Sequence, residues 1–294
     1  MTGLICINKD ADITSFGVVA GVRRITRERK AGHTGTLDPM ATGVLPIMLG
    51  GATKFLDYLP DSNKRYLASF ELGRTTDTLD ITGTVTGEYA VHAGESEVRS
   101  VLAQFVGEID RVPPMYSAKS VDGVRLYDLA RKGVEIERKP CRVVIKALNL
   151  VSAQGNTYTM DVTCSKGTYI RSLIRDIGDR LGCGAVMTSL CRTGAMGFGI
   201  EDCVTLDELQ ALVDDGKGFD GVLIPVDAMF GCYDALTVSP AQATRFYIGG
   251  SLDCDRLKHR VTDGERYGVY APDGVFLGLG RGDCEQLKPL RVLV

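Results

Sequence analysis

Residues 32–43 read Gly-His-Thr-Gly-Thr-Leu-Asp-Pro-Met-Ala-Thr-Gly, and no other stretch of the chain restricts the fold as tightly. Gly32, Gly35 and Gly43 let backbone approach another group closely, because glycine has no Cβ. Pro39 fixes its own φ and drives Asp38 toward an extended conformation. The stretch runs into Val44–Leu49, an apolar run of strand length in which Pro46 suggests an edge or bulge position. A single carboxylate is thus set in a loop at the end of a buried strand. Residue types alone leave two readings. Asp38 caps neighbouring amides in a turn, or the loop presents it to a ligand.

Elsewhere the periodicities alternate between strand and helix. Leu4–Ile7 reads as a short buried strand. Thr14 or Ser15 can cap a helix with Val18, Val22 and Ile25 on one face and arginines opposite. Thr53–Leu59 looks helical, and Tyr66, Ala68, Phe70 and Leu72 alternate as a half-buried strand does. Val98, Val101, Leu102, Phe105 and Val106 mark an amphipathic helix. Arg111–Pro140 is rich in proline, glycine and charge and reads as an exposed excursion. Strands follow at about Val143–Ser152 and Tyr158–Cys164. Ile170, Leu173, Ile174, Ile177 and Leu181 then recur at helical spacing, with Arg171 and Arg175 off the stripe. Thr205-x-x-Glu208 is a capping box. Glycine-rich 214–221 and the 225–234 region set off a tail with a helix from Ser239-Pro240 to Gly249-Gly250 and strands near Tyr267–Tyr270, Val275–Leu279 and Leu290–Val294.

Composition narrows the class. The chain has 294 residues, enough for a large core and a second small domain. Its amino-terminal residues lack a basic, apolar leader, and no run approaches the ~18 apolar residues that span a bilayer. A cytoplasmic protein with no membrane partner is expected. Nine cysteines, none in a C-x-x-C pair, point to reduced, mostly buried thiols, and three scattered histidines offer no metal cluster. A net charge of −3 excludes nucleic-acid binding by bulk charge. A local basic surface remains open: Arg23, Arg24, Arg27, Arg29 and Lys30 precede the Asp38 loop, either as a solvated helix face or as a phosphate contact.

Further segments recur in a recognisable order. They are Lys64-Arg65-Tyr66; Arg74-Thr75-Thr76-Asp77-Thr78-x-Asp80; Pro113-Pro114-Met115-Tyr116-Ser117-Ala118 with Gly123, Arg125, Tyr127, Ala130 and Arg131; Ser165 to Ser172; and Leu190, Arg192, Gly197 and Phe198. Together with the Asp38 loop they resemble the motifs of the TruB family of tRNA pseudouridine synthases, of the bacterial stand-alone type. The resemblance covers residues 3–230.

It implies an α+β pseudouridine synthase fold: a mixed, mainly antiparallel central sheet flanked by helices and loops, with a small β-rich PUA-like carboxy-terminal domain. It implies a catalytic domain over 1–230, a thumb-like insertion at about 112–141 and an RNA-binding domain over 231–294. The implied activity isomerises uridine 55 in the TΨC arm of tRNA, with no cofactor, metal, guide RNA or obligatory protein partner, in a monomer. Asp38 is the implied catalytic carboxylate and Arg171 its partner. Tyr66 is implied to stack on the flipped uracil and to help remove the C5 proton. Asp80, Tyr169 and Leu190 are implied pocket residues, and His33 is implied to help take the place of the flipped base. Arg23 and Arg24 are expected to meet phosphate.

The chemistry accounts for those residue types. Breaking C1′–N1, rotating the base and rejoining it through C5 calls for an ionised carboxylate and a closed pocket. A stacked base must first be extruded. Which atom Asp38 engages is left open by the residues. Three departures from the family pattern are Asp10 after Lys9 where proline is usual, Lys119 one residue early with Ser120 after it, and the net acidity. A non-catalytic RNA-binding protein or chaperone is the rival reading, and an intact Asp38, Tyr66 and Arg171 set argues against it. A phosphate-cradling loop is excluded by the missing G-K-[ST] ending.

Overall fold

The computed structural model describes residues 1–293 apart from 113, 115, 117–119, 122, 126–128, 130, 131 and 135, with backbone alone at 120, 121 and 125. The thumb residues Pro113, Met115, Ser117, Ala118, Lys119, Tyr127, Ala130 and Arg131 therefore lie outside the described residues. The first strands are β1 (Gly3–Lys9), β2 (Ala31–His33), β3 (Thr42–Leu49) and β4 (Lys64–Leu72), followed by the hairpin β5 (Arg74–Thr76) and β6 (Val85–Glu88). Next come β7 (Gly107–Arg111), a second hairpin of β8 (Ser120–Val121) and β9 (Val124–Arg125), then β10 (Cys141–Gln154), β11 (Thr157–Cys164), β12 (Ala185–Ala195) and β13 (Phe198–Gly199). The large sheet runs β1-β3-β12-β4-β11-β10-β7, with β2 on β3 and β13 on β12. Only the β3–β12 pair is parallel in it. The sheet is mixed and mainly antiparallel, as expected.

Alternation in β4 is borne out: Tyr66, Ala68, Phe70 and Leu72 are buried while Arg65 and Leu67 face out. β12, the strand beside it, was not legible in the sequence. Two register shifts, between Met187 and Ser189 and between Arg192 and Gly194, break its period of two. Pro46 is on neither an edge nor a bulge. β3 is interior, and on the side where β12 pairs with Thr42–Gly43 and β2 with Ile47–Leu49, residue 46 falls between the two partners. A residue without an N–H is tolerated there.

Helix α1 (Ser15–Thr26) buries Val18, Val22 and Ile25, and it is Thr14 that caps it, its hydroxyl accepting from the Gly17 N–H. Helix α2 (Glu95–Ala103) stops earlier than its pattern suggests; Phe105 is buried beyond its end and Val106 is exposed. Residues Gly50–Tyr58 form a 3₁₀ helix. Helix α3 (Ile170–Leu181) packs Leu173, Ile174 and Ile177 into the main core, and α4 (Leu206–Asp214) opens on the Thr205–Glu208 capping box. Three cysteines are buried, four intermediate and two exposed, so the thiols are less buried than expected.

After residue 231 a five-stranded sheet forms from β14 (Asp234–Thr237), β15 (Leu252–Asp253), β16 (Arg266–Tyr270), β17 (Phe276–Asp283) and β18 (Gln286–Val292), in the order β14-β16-β17-β18-β15. Helix α5 (Pro240–Tyr247) is capped by Ser239 and closed by Gly249 at φ +87°. Phe276 and Leu279 of this sheet share a core with Leu4, Met48, Phe55 and Phe230 of the preceding body. No helix among the described residues is long and apolar enough to cross a membrane.

Candidate active site

Asp38 sits in the turn between β2 and β3, and its backbone neighbours are fixed on both sides. The Ser15 hydroxyl accepts from the Leu37 N–H at 2.8 Å and donates to the Leu37 carbonyl at 2.9 Å. Lys9 Nζ donates to the Pro39 carbonyl at 2.9 Å, and also to the carbonyls of Asp10 and Ile13. Because the contact at residue 10 is to backbone, aspartate serves as well as proline. Arg192, fully buried on β12, donates to the Val44 carbonyl at 2.7 Å and to those of Gly35 and Thr36 at 3.3 and 3.4 Å. The loop therefore enters folding as a flexible segment and ends with little freedom.

The glycines take part in that packing. Gly43 has φ +98°, and a Cβ there would lie 2.3 Å from the Arg192 carbonyl oxygen. This glycine lets β3 and β12 approach. Gly32 has open space around the corresponding point.

Arg171 reaches Asp38 from the first turn of α3. Its Nε donates to Oδ2 at 2.8 Å and Nη2 to Oδ1 at 2.9 Å, the bidentate fork that suits a carboxylate. Nη1 donates to the Thr78 carbonyl and Nη2 to the Tyr116 carbonyl, both at 2.9 Å. Asp80 lies behind, with Oδ2 at 3.7 Å from Nη1. The Asp80 Oδ1 accepts from the Thr78 and Thr82 hydroxyls and the Thr82 N–H. Between Thr78 and Asp80, Leu79 is held at φ +67°, a conformation a branched side chain rarely adopts. Side-chain exposure is 6% for Arg171, 7% for Asp80 and 30% for Asp38, so of the three Asp38 faces the opening.

That opening is a pocket of about 200 Å³, lined by Asp38, Tyr66, Tyr169, Arg171, Leu190 and Lys64 among others. Among the described residues, Asp38 is its only carboxylate. Tyr66 is buried on β4, and burial pushes its phenol above the ordinary range despite the pull of the Arg192 cation. It is an apolar wall with a neutral hydroxyl. The structure thus brings together five of the residues singled out from sequence, with Asp80 behind them. His33 is outside the pocket lining, at the end of β2 opposite Ile47. Arg23 turns inward and donates to the Ala31 carbonyl at 2.7 Å, tying α1 to β2, while Arg24 is exposed. Ser15, Lys9 and Arg192 were not singled out as site residues. Their partners are carbonyls and amides distant in sequence, which leave no local pattern.

A tightly held loop thus presents one arginine-clamped carboxylate beside a buried aromatic wall, an arrangement suited to enzyme chemistry on a flat ring. Comparison with known proteins makes this specific. Residues 23–170 match the model of the TruB family pseudouridylate synthase N-terminal domain, and residues 171–231 that of the tRNA pseudouridylate synthase B C-terminal domain. The chain belongs to the TruB family. It is 41% identical over 294 residues to tRNA pseudouridine synthase B of Clostridium kluyveri, covering 100% of both chains. It is 43% identical over 296 residues to the protein of that name from Burkholderia mallei, covering 100% of this chain and 97% of the relative. A chain of the solved Cbf5-Nop10-Gar1 complex superposes with a TM-score of 0.76 at 24% identity, covering 99% of this chain and 85% of that one. A chain of an H/ACA RNP bound to a substrate RNA containing 2′-deoxyuridine gives 0.75 at 22%, with the same coverage. The fold is the pseudouridine synthase fold.

Proposed function

We propose that this protein isomerises uridine 55 of tRNA to pseudouridine, with Asp38 as the catalytic carboxylate. The observation that carries this reading is the clamp itself. Both Asp38 oxygens are oriented by one buried guanidinium, and the carboxylate is presented to a pocket whose other lining residues, among those described, carry no negative charge. A flipped uridine placed there meets the carboxylate at its glycosidic side, and Tyr66 and Leu190 close over the base. Arg171 fixes the direction of both Asp38 oxygens through its two hydrogen bonds. The neutral Tyr66 phenol fits stacking; proton removal at C5 needs a stronger base than a buried phenol.

The relatives' name, tRNA pseudouridine synthase B, supports tRNA as the substrate. Residues 231–294 serve as an RNA-binding unit of PUA type. The family match ends at 231 and the separate sheet starts at Asp234, which supports that division. We read the protein as a cytoplasmic monomer that works without a guide RNA.

Carbodiimide mapping of pseudouridine in a tRNA transcript tests the reading. The Asp38→Asn protein is expected to form none while binding tRNA within about tenfold of wild type, or ~1.4 kcal/mol. Turnover retained by that variant refutes the role of Asp38. Absence of pseudouridine with the wild-type protein would favour a non-catalytic RNA-binding role.

A further inference from the structure

Lys64, at the start of β4, stands on a wall shared by two clefts. One is the pocket that holds Asp38. The other, of about 340 Å³, is lined by Thr34, Gly35, Leu59, Ser62, Lys166 and Arg192 among others, and takes in Lys64 from the shared side. The Lys64 ammonium is packed against the loop: a Cβ built on Gly35 would lie 2.9 Å from Nζ and 3.9 Å from Arg192 Nη1. Arg192 is held by three backbone carbonyls and interacts with the Tyr66 hydroxyl. The Lys64 side chain makes no hydrogen bond or carboxylate pair with any described residue.

Burial, and next the Arg192 cation, bring the Lys64 amine down to about 8, with a small opposing pull from Cys164. A half-buried ammonium beside a second cation and without an anion is an unfavourable arrangement in the free protein. An incoming anion relieves it. The carboxylates of the second cleft do not serve, since Asp61 is paired with Lys166 and Asp57 makes no bond to Lys64.

We propose that the second cleft receives the nucleotide adjoining the flipped uridine, and that Lys64 binds the phosphodiester joining the two. This rests on the reading that a uridine enters the Asp38 pocket. The chemistry is that of a linkage straddling the wall: one nucleoside on each side, the anionic phosphate over the ammonium on the ridge. A single phosphate neutralised this way contributes about 0.7 to the salt slope on a single strand.

The test uses the full chain and stem–loop RNAs carrying one neutral methylphosphonate, either 5′ or 3′ of the target uridine, with wild type and Lys64→Met. In wild type, one of the two neutral linkages is expected to weaken binding about tenfold, ~1.4 kcal/mol. Lys64→Met should bind the unmodified RNA about as weakly and lose nothing more at that linkage. An abasic residue on the same side should weaken wild-type binding, and one on the other side should not. Additive losses, or wild-type affinity in Lys64→Met, overturn the proposal. The variant removes an unpaired cation and should melt no lower than wild type; Lys64→Arg, which keeps the charge, should recover most of the affinity if it folds. Should wild type form no pseudouridine in the unmodified stem–loop, the functional reading fails. Should it form pseudouridine while the losses add, the Lys64 assignment alone fails.

Discussion

Replacing Arg171 with lysine separates the contribution of its charge from that of its shape. The guanidinium's five N–H groups are all engaged: two on Asp38, one each on the Thr78 and Tyr116 carbonyls, and one directed at Asp80. A lysine ammonium has three hydrogens on one atom and cannot span both Asp38 oxygens and two carbonyls on opposite sides. At least two of the four close bonds are lost. Bonds to charged groups contribute ~1.5–3 kcal/mol each, so the loss lies between about 3 and 6 kcal/mol. Asp38 is 30% exposed and can recover water, which places the expected value near the lower end. At 2–4 °C per kcal/mol for a chain of this size, about 3 kcal/mol lowers the melting temperature by ~6–12 °C.

Activity should fall further than stability does. A carboxylate gripped at one point swings, and a misplacement of about 1 Å at a reacting group can cost ~100-fold in rate. Single-turnover pseudouridine formation, measured well below the variant's melting temperature, is therefore expected to drop by at least ~100-fold. Binding of tRNA should change by less than about threefold, under 1 kcal/mol. A wild-type rate in folded Arg171→Lys protein refutes the clamp as the source of orientation. So does a rate loss that only tracks the unfolded fraction.

Gly43→Ala forces a Cβ to 2.3 Å from the Arg192 carbonyl at φ +98°; a loss above about 3 kcal/mol is expected from denaturant melts, against within ~0.5 kcal/mol for Gly32→Ala. Equal effects of the two would refute the close-approach role assigned to Gly43. Lys9 and Lys64 are both lowered to about 8, mainly by burial, from an ordinary 10.5. Between those values the unfolded chain binds more protons, so their contribution raises stability as pH rises. The melting temperature of Lys64→Met should accordingly climb less than that of wild type from about pH 7.5 to 9.5, and parallel curves would contradict this. For Tyr66, the ultraviolet difference between wild type and Tyr66→Phe should show no phenolate step below about pH 10. A step near pH 8 would restore the phenol as the C5 base.

The sequence made the Asp38 loop, the alternation of β4, the apolar stripe of α3 and the Thr205–Glu208 capping box legible, because each is written in residues close to one another. What it hid depends on contacts made from afar. Arg171 falls off the apolar stripe of its helix and reads as solvated, yet residues 38, 78 and 116 converge to bury it. Ser15 reads as a helix cap, but Thr14 takes that task and leaves the Ser15 hydroxyl to hold Leu37. β12 is hidden by its two register shifts, and β2, with three residues, is too short for a period. The arginines before the loop looked equivalent; only the fold shows Arg23 bound to the Ala31 carbonyl.

The choice of partners for the buried cations also bears on the acidity of the chain. Lys9 and Arg192, 1% and 0% exposed, are satisfied by backbone carbonyls, with no carboxylate in hydrogen-bond contact. Carbonyl dipoles meet the hydrogen-bonding demand of a buried cation without adding a negative charge. Had aspartate or glutamate been used, two more anions would stand next to Asp38. They would repel the phosphates of an approaching RNA. With carbonyls instead, the net positive charge of Lys9, Lys64 and Arg192 remains around a pocket with one carboxylate. A net charge of −3 then says little about the site. At distances beyond about 8–10 Å surface acids are largely screened at physiological salt, so the inner cations weigh more in the Asp38 pocket than the net charge of the chain does.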